Sequence, residues 1–169
     1  MISKMTVAAA VLALPLTAAT GQADLHVRFI EGAPKDRFEI TNQSACAISS
    51  STLTLDLAPS QGALIFDVTG SGAGVEVFQP FEIVSGRGAL STLPTILDGQ
   101  NAVDLPISTL DSGASIAFTI DVDDTLGERE ITVTGSEISG AMVKLISSNG
   151  PQMARFGSDA KAQVTGLAC

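Results

Sequence analysis

The sequence predicts an all-β protein, a single antiparallel β-sandwich of about nine short strands. Apolar and polar residues alternate with a period of two in many short runs, which is typical of half-buried strands. Gly, Pro, Asn and Ser cluster between the runs, and no segment shows the periodicity of an amphipathic helix. An antiparallel barrel would fit the same pattern, and of the two we prefer the sandwich.

The first half of the chain contains five such runs, each followed by a turn or by the next strand. The predicted strands are 25–30, 37–41, 52–57, 64–68 and 75–84. The last of these crosses a proline, which indicates an edge strand or a bend. Glycines are dense just before it, and we interpret them as a flexible loop because no helix follows them.

The second half contains the clearest strand of the chain, 116–122, in which four apolar residues alternate with polar ones. A weaker strand, 102–107, precedes it and is interrupted by a proline. The alternation resumes at 131–134 after a Gly-containing loop, so we predict a hairpin with an acidic tip. Further strands are predicted at 141–146 and 162–167.

The first 23 residues have the features of an export signal. Lys4 provides the charged start, 7–16 is the apolar run, and small residues end at Ala23. Cleavage there would leave 24–169, which we predict to be one β-sandwich domain in the periplasm or outside the cell. No later stretch is apolar enough to enter a membrane.

Composition disfavours several classes of function. The chain has 18 acidic residues against 9 Lys and Arg, a balance that disfavours binding to nucleic acid or anionic lipid. A single histidine, His26 on the polar face of the first strand, makes a Ser-His-Asp or Cys-His catalytic set improbable. A carbohydrate-binding module is the third hypothesis. Composition disfavours it, because the chain has no Trp or Tyr on which a sugar could stack.

The two cysteines, Cys46 and Cys169, both follow the signal. In an oxidising compartment such a pair forms a disulfide more often than two free thiols, so we predict the Cys46–Cys169 bridge. The alternative is that the terminal Cys169 stays free or pairs with another molecule.

Acidic residues are concentrated at the end of the central strand, and carboxylates at close spacing are the ligands that Ca²⁺ prefers. The candidate ligands are Asp121, Asp123, Asp124, Glu128 and Glu130. The EF-hand pattern is not met. The competing interpretation is that these acids form a solvated hairpin tip and an outward strand face that keep the edge soluble.

The stretch F-T-I-D-V-D-D-T-L at 118–126 resembles the first motif of haloacid-dehalogenase-type phosphatases. That resemblance implies Asp121 as nucleophile, Asp123 as general acid/base and a bound Mg²⁺. In the family the motif ends a parallel strand that a helix follows, whereas the sequence around it predicts strands and turns only.

A broader resemblance covers roughly 25–145 and rests on R-F-E-I-T-N-Q-S, I-F-D-V-T-G-S-G-A-G-V-E-V-F-Q-P-F and D-V-D-D-T-L-G. These segments resemble exported bacterial immunoglobulin-like domains and, more closely, aggregation-factor-core-like proteins. The resemblance implies an immunoglobulin-like sandwich and adhesion, with Ca²⁺ as a possible cofactor and nothing catalytic. We therefore expect an exported non-catalytic binding protein whose partner is an extracellular or periplasmic protein or matrix component.

Overall fold

The computed structural model describes residues 22–72, 74, 78–126 and 132–168. These residues form ten β-strands, most of which have alternating buried and exposed side chains. One 3₁₀ turn, Arg87–Ala89, accompanies them. The strands are β1 (Gln22–Ile30), β2 (Asp36–Asn42), β3 (Ile48–Asp56), β4 (Ile65–Asp67), β5 (Glu82–Ser85), β6 (Ala102–Leu110), β7 (Ser115–Asp123), β8 (Met142–Ser147), β9 (Gly150–Arg155) and β10 (Lys161–Ala168).

The strands form two antiparallel sheets. The larger has the order β10-β1-β2-β7-β4, with β5 also pairing with β7, and the smaller has the order β6-β3-β8-β9. Apolar side chains of both sheets belong to one core cluster, as expected of two sheets packed face to face. The predicted all-β sandwich is confirmed, while its immunoglobulin-like topology stays a prediction.

Aromatic rings form the middle of this core. Phe29 lies opposite Phe38, and Phe38 lies opposite Phe118, so strand register places the three rings in a row across β1, β2 and β7. The ring centroids are 5.2 Å apart in the first pair and 5.1 Å apart in the second. Phe81 extends the row, with its centroid 4.9 Å from that of Phe118.

Strand β7 pairs with three other strands of the larger sheet. β2 pairs with residues 115–120 along one edge, while β5 and β4 pair along the other. The predicted hairpin with 131–134 is wrong, because residues 132–134 belong to no strand. The loop residues 127–131 lie outside the described part of the chain.

Three further differences concern strands. Of the predicted strand 75–84, only residues 82–84 belong to a strand, which is β5 (Glu82–Ser85). Residues 75–77 lie outside the described residues. The strand predicted at 102–107 is longer, since β6 extends to Leu110. β9 was not predicted, because none of its side chains is fully buried and its first two residues, Gly150 and Pro151, have the composition of a turn.

Asn42, at the end of β2, is fully buried and fixes the turn that follows. Its amide nitrogen donates to the carbonyls of Cys46 (2.8 Å) and Leu110 (2.9 Å), and its oxygen accepts from the backbone N–H of Ser44 (3.0 Å). These bonds tie β2 to β6 and hold Cys46 half-buried against the core. The other predicted disulfide residue, Cys169, lies outside the described residues.

The predicted signal, 1–23, lies outside the described residues except for Gln22 and Ala23, which begin β1. Cleavage after Ala23 would therefore shorten β1 by two residues. Among the described residues, the structure has no helix long and apolar enough to cross a membrane.

Candidate metal centre

The pairing of β4 with β7 brings three carboxylates together. Asp67 lies directly opposite Asp121, and Ile65 lies opposite Asp123. Because alternate residues of a strand project from the same face, Asp67, Asp121 and Asp123 share one face of the sheet. We call these three residues the aspartate cluster.

The cluster is tight and buried. One carboxylate oxygen from each residue can be chosen so that all three lie within 4.8 Å of one another. Asp67 is 0% exposed, Asp121 is 5% exposed and Asp123 is 3% exposed. At an effective dielectric constant of about 20, two full charges at such a separation repel by roughly 3 kcal/mol.

Two of the three side chains have unsatisfied oxygens. Neither carboxylate oxygen of Asp67, nor Oδ2 of Asp121, receives a hydrogen bond in the described structure. None of the ion pairs between described residues involves Asp67 or Asp121. A buried acceptor without a donor costs about 1–3 kcal/mol, and more when it is charged.

These surroundings raise the pKa of two members of the cluster. Burial, followed by the neighbouring Asp98 and Asp123, raises the pKa of Asp67 to about 7. Burial, followed by Asp123 and Asp67, raises the pKa of Asp121 to about 7. Both shifts have the same physical origin, since negative charge is concentrated in a poorly solvated place.

Asp36, at the start of β2, is a further buried acid next to this centre, and it is 2% exposed. Its Oδ1 accepts the backbone N–H of Gly32 at 3.0 Å. Burial raises its pKa to about 8; that hydrogen bond lowers the pKa, while Asp121 and Asp123 raise it. Asp36 therefore lies within electrostatic range of the cluster and stabilises the loop between β1 and β2 through its hydrogen bond with Gly32.

The segment that follows β4 covers the cluster. Gln79 donates its N–H to the carbonyl of Asp67 (3.3 Å) and accepts the N–H of Asp121 (3.2 Å), so it bridges β4 and β7. A Cβ added at Gly74 would lie 2.2 Å from Oδ2 of Asp123 and 2.3 Å from Oδ2 of Asp67. Only glycine leaves room for the carboxylates at this position.

The five predicted ligands do not share one location at a solvated hairpin tip. Asp121 and Asp123 belong to the cluster, so the expectation that they form a solvated outward face is wrong: both are buried, with Gly74 and Gln79 lying next to them. Asp124 is half-buried and is not part of the cluster. Glu128 and Glu130 lie outside the described residues.

Asp67 is the site residue that sequence analysis missed. It lies 54 positions before Asp121, and only the strand register brings the two together. One signal was present, namely a single carboxylate in the otherwise apolar run Leu-Ile-Phe-Asp-Val, directly before the glycines.

Oxygen ligands alone, with concentrated negative charge, suit a hard divalent cation. Ca²⁺ accepts several carboxylates in irregular geometry, whereas Mg²⁺ demands an octahedral shell and retains its waters. Zn²⁺ prefers nitrogen and sulfur ligands. The unsatisfied oxygens of Asp67 and Asp121 thus fit Ca²⁺ best among these ions.

Two other predicted features have different surroundings. The Asp-x-Asp-x-Thr stretch lies in an antiparallel sheet, so the parallel strand and helix of the phosphatase motif do not surround it. His26 lines a polar groove of about 360 Å³ on the outer face of β10, β1 and β2. No Phe, Tyr or Trp side chain lines the groove, which is bordered by His26, Val27, Arg28, Glu39, Thr41, Gln43, Asp159, Lys161, Ala162 and Gln163.

Comparison with known proteins adds no assignment: no family model, no curated protein and no solved structure matches this chain. Its fold and candidate site define the protein as a two-sheet β-sandwich with a buried cluster of carboxylates.

Proposed function

We propose that this protein is an exported, non-catalytic β-sandwich that binds Ca²⁺ through Asp67, Asp121 and Asp123. The observation that supports the proposal is the fully buried Asp67, which lies opposite another aspartate and has no hydrogen-bond donor in the described structure. Like charges directly across a sheet destabilise it. A divalent cation between them turns that repulsion into coordination.

The burial of the cluster supports a structural role for the ion. An ion held between β4 and β7 beneath Gly74 would fix the end of the sandwich at which β4 leaves the sheet. The exposed Phe78 and Leu97 lie on the connections that flank this site. We propose that the ordered surface binds an extracellular or periplasmic protein or a matrix component, as an adhesion-type protein does.

A Cys46–Cys169 disulfide is part of the same proposal. Gln22 pairs with Ala168 and Leu25 pairs with Asn42, so the end of β10 and the end of β2 lie at the same end of the larger sheet. Cys46 follows Asn42 by four residues, and Cys169 follows Ala168 by one. The bridge would link these two strand ends in an exported protein.

Calorimetric titration of residues 24–169 with Ca²⁺, after treatment with chelator, tests the proposed cation site. We expect one binding event for the wild type, a much weaker response to Mg²⁺, and a loss of at least tenfold in Ca²⁺ affinity for Asp67→Asn. The control is Asp111→Asn, which changes an exposed aspartate in the turn before β7. Absence of Ca²⁺ binding to the folded wild type would overturn the proposal.

A further inference from the structure

The turn at 97–100 lies against the free edge of β4. Gln100 donates its N–H to the carbonyl of Leu97 (3.0 Å), which closes the turn. Phe66, in the middle of β4, donates to the carbonyl of Gln100 (2.8 Å) and accepts from Gly99 (2.9 Å). The turn therefore occupies the backbone groups that an edge strand would otherwise expose.

This turn brings Asp98 to the aspartate cluster. Its Oδ1 accepts the backbone N–H of Val68 (2.9 Å) and of Thr69 (3.0 Å), the two residues that follow Asp67. Those bonds engage one carboxylate oxygen and orient the side chain. The contact with Asp98 is also one of the causes that raise the pKa of Asp67.

Two described glycines after β4 lie close to these carboxylates. A Cβ added at Gly72 would clash with the carboxylate of Asp98, and one added at Gly74 would clash with Oδ2 of Asp67 and of Asp123. Asp67, Asp121 and Asp123 are the group whose oxygens lie within 4.8 Å of one another, and Asp98 adjoins this group through its interaction with Asp67. An independent observation that points to a ligand is Asp67 itself, fully buried with both oxygens unsatisfied in the described structure.

We infer that Asp98 is the fourth carboxylate of the cation site, so that the bound ion fastens the 97–100 turn against the edge of β4. This inference rests on the proposed Ca²⁺ function and adds a regulatory consequence to it. The ion joins three separate parts of the chain, namely β4, β7 and the turn. Without the ion, the turn is held by its backbone hydrogen bonds to Phe66 and by the two hydrogen bonds that Asp98 accepts from Val68 and Thr69.

The test compares Asp98→Asn with wild type and with the control Asp111→Asn in calorimetric Ca²⁺ titration. Asparagine keeps the oxygen that accepts from Val68 and Thr69 but removes the charge. We expect a rise of at least tenfold in Kd for Asp98→Asn and no change for Asp111→Asn. Hydrogen exchange provides a second measurement, in which Ca²⁺ slows exchange of the Phe66 and Gly99 amides of the wild type by at least tenfold.

The outcomes separate the two claims. If the folded wild type binds no Ca²⁺, the proposed function fails and the role of Asp98 fails with it. If the wild type binds Ca²⁺ and Asp98→Asn binds it equally well, only the role of Asp98 is overturned. If Asp98→Asn does not fold, hydrogen exchange of the wild type provides the test. Equal exchange rates of the Phe66 and Gly99 amides with and without Ca²⁺ would then overturn the inference.

Discussion

Asp67 of β4 lies directly across the antiparallel ladder from Asp121 of β7, and both carboxylates are buried. Cross-strand neighbours of like charge destabilise a sheet, and removal from water makes the repulsion stronger. This pair is therefore a local source of instability, which the proposed cation would convert into a local source of stability. The first three predictions below follow from that relationship.

Removing one charge should stabilise the protein when no cation is present. In chelator at pH 8, we expect Asp121→Asn to raise the free energy of unfolding by about 1–3 kcal/mol, because it removes a buried, repelled carboxylate and supplies an amide donor. The same variant should gain nothing from Ca²⁺. Denaturant unfolding of both proteins measures this, and a variant less stable than wild type in chelator would contradict it.

The stability of the cation-free protein should fall as pH rises. The folded-state pKa values of Asp67 and Asp121 are about 7, above the ordinary pKa of 3.8 expected for an aspartate in the unfolded chain. The folded protein thus holds protons that the unfolded chain releases, and this contribution is lost as pH rises through 7. Thermal unfolding in chelator should show a Tm lower by several degrees at pH 8 than at pH 5.

With saturating Ca²⁺ the fall in stability between pH 5 and pH 8 should largely disappear, because the ion-bound carboxylates of the folded protein are ionised, as those of the unfolded chain are over this range. Calorimetry near pH 7, in buffers of different ionisation enthalpy, should detect proton release on the order of one per ion bound, since two groups there have pKa values of about 7. Binding heats that are independent of the buffer would contradict this.

A methyl group over the cluster should block the site. Gly74→Ala places a Cβ within 2.3 Å of oxygens of both Asp67 and Asp123, so we expect a loss of at least tenfold in Ca²⁺ affinity. The matched control is Gly88→Ala, where nothing lies within 4 Å of the added Cβ. Equal affinities for the two variants would show that the ion does not lie beneath Gly74.

The aromatic row should dominate the stability of the core. Phe38 is fully buried and contacts the rings of Phe29 and Phe118. Phe38→Ala should cost about 3–5 kcal/mol, as large-to-small changes of buried aromatic residues do. Phe78→Ala, at an exposed position, should cost much less, and denaturant unfolding of both variants compares them.

The proposed disulfide predicts that the oxidised protein has no free thiol and that the reduced protein has two free thiols. Thiol titration in denaturant, with peptide mapping of the Cys46–Cys169 linkage, measures this directly. In the loop-entropy model, reduction of a bridge closing so long a loop lowers the free energy of unfolding by about 4–5 kcal/mol. Free thiols in the oxidised monomer would remove the bridge from the proposal.

Alternation was sufficient to predict the sandwich class and most strands, because burying one face of a sheet requires a period of two. It also identified Asp121 and Asp123 as candidate ligands. It did not predict their burial, since alternation describes a strand and not the segment that packs over it. The positions of Asp67 and Asp98 next to these residues depend on strand register and on a turn at the sheet edge, neither of which can be read from a local pattern. β9 lacks buried side chains and so had no pattern to detect.

The position of β1 between β2 and β10 has a consequence for the order of folding. The first strand of the described chain completes its pairing only with the last, so synthesis must reach residue 168 before the larger sheet can close. Pairing between strands so distant in sequence is slow to form. In the proposed exported protein, a chain that has only partly crossed the membrane would therefore remain incompletely folded, which is the state that passage through a narrow export channel requires.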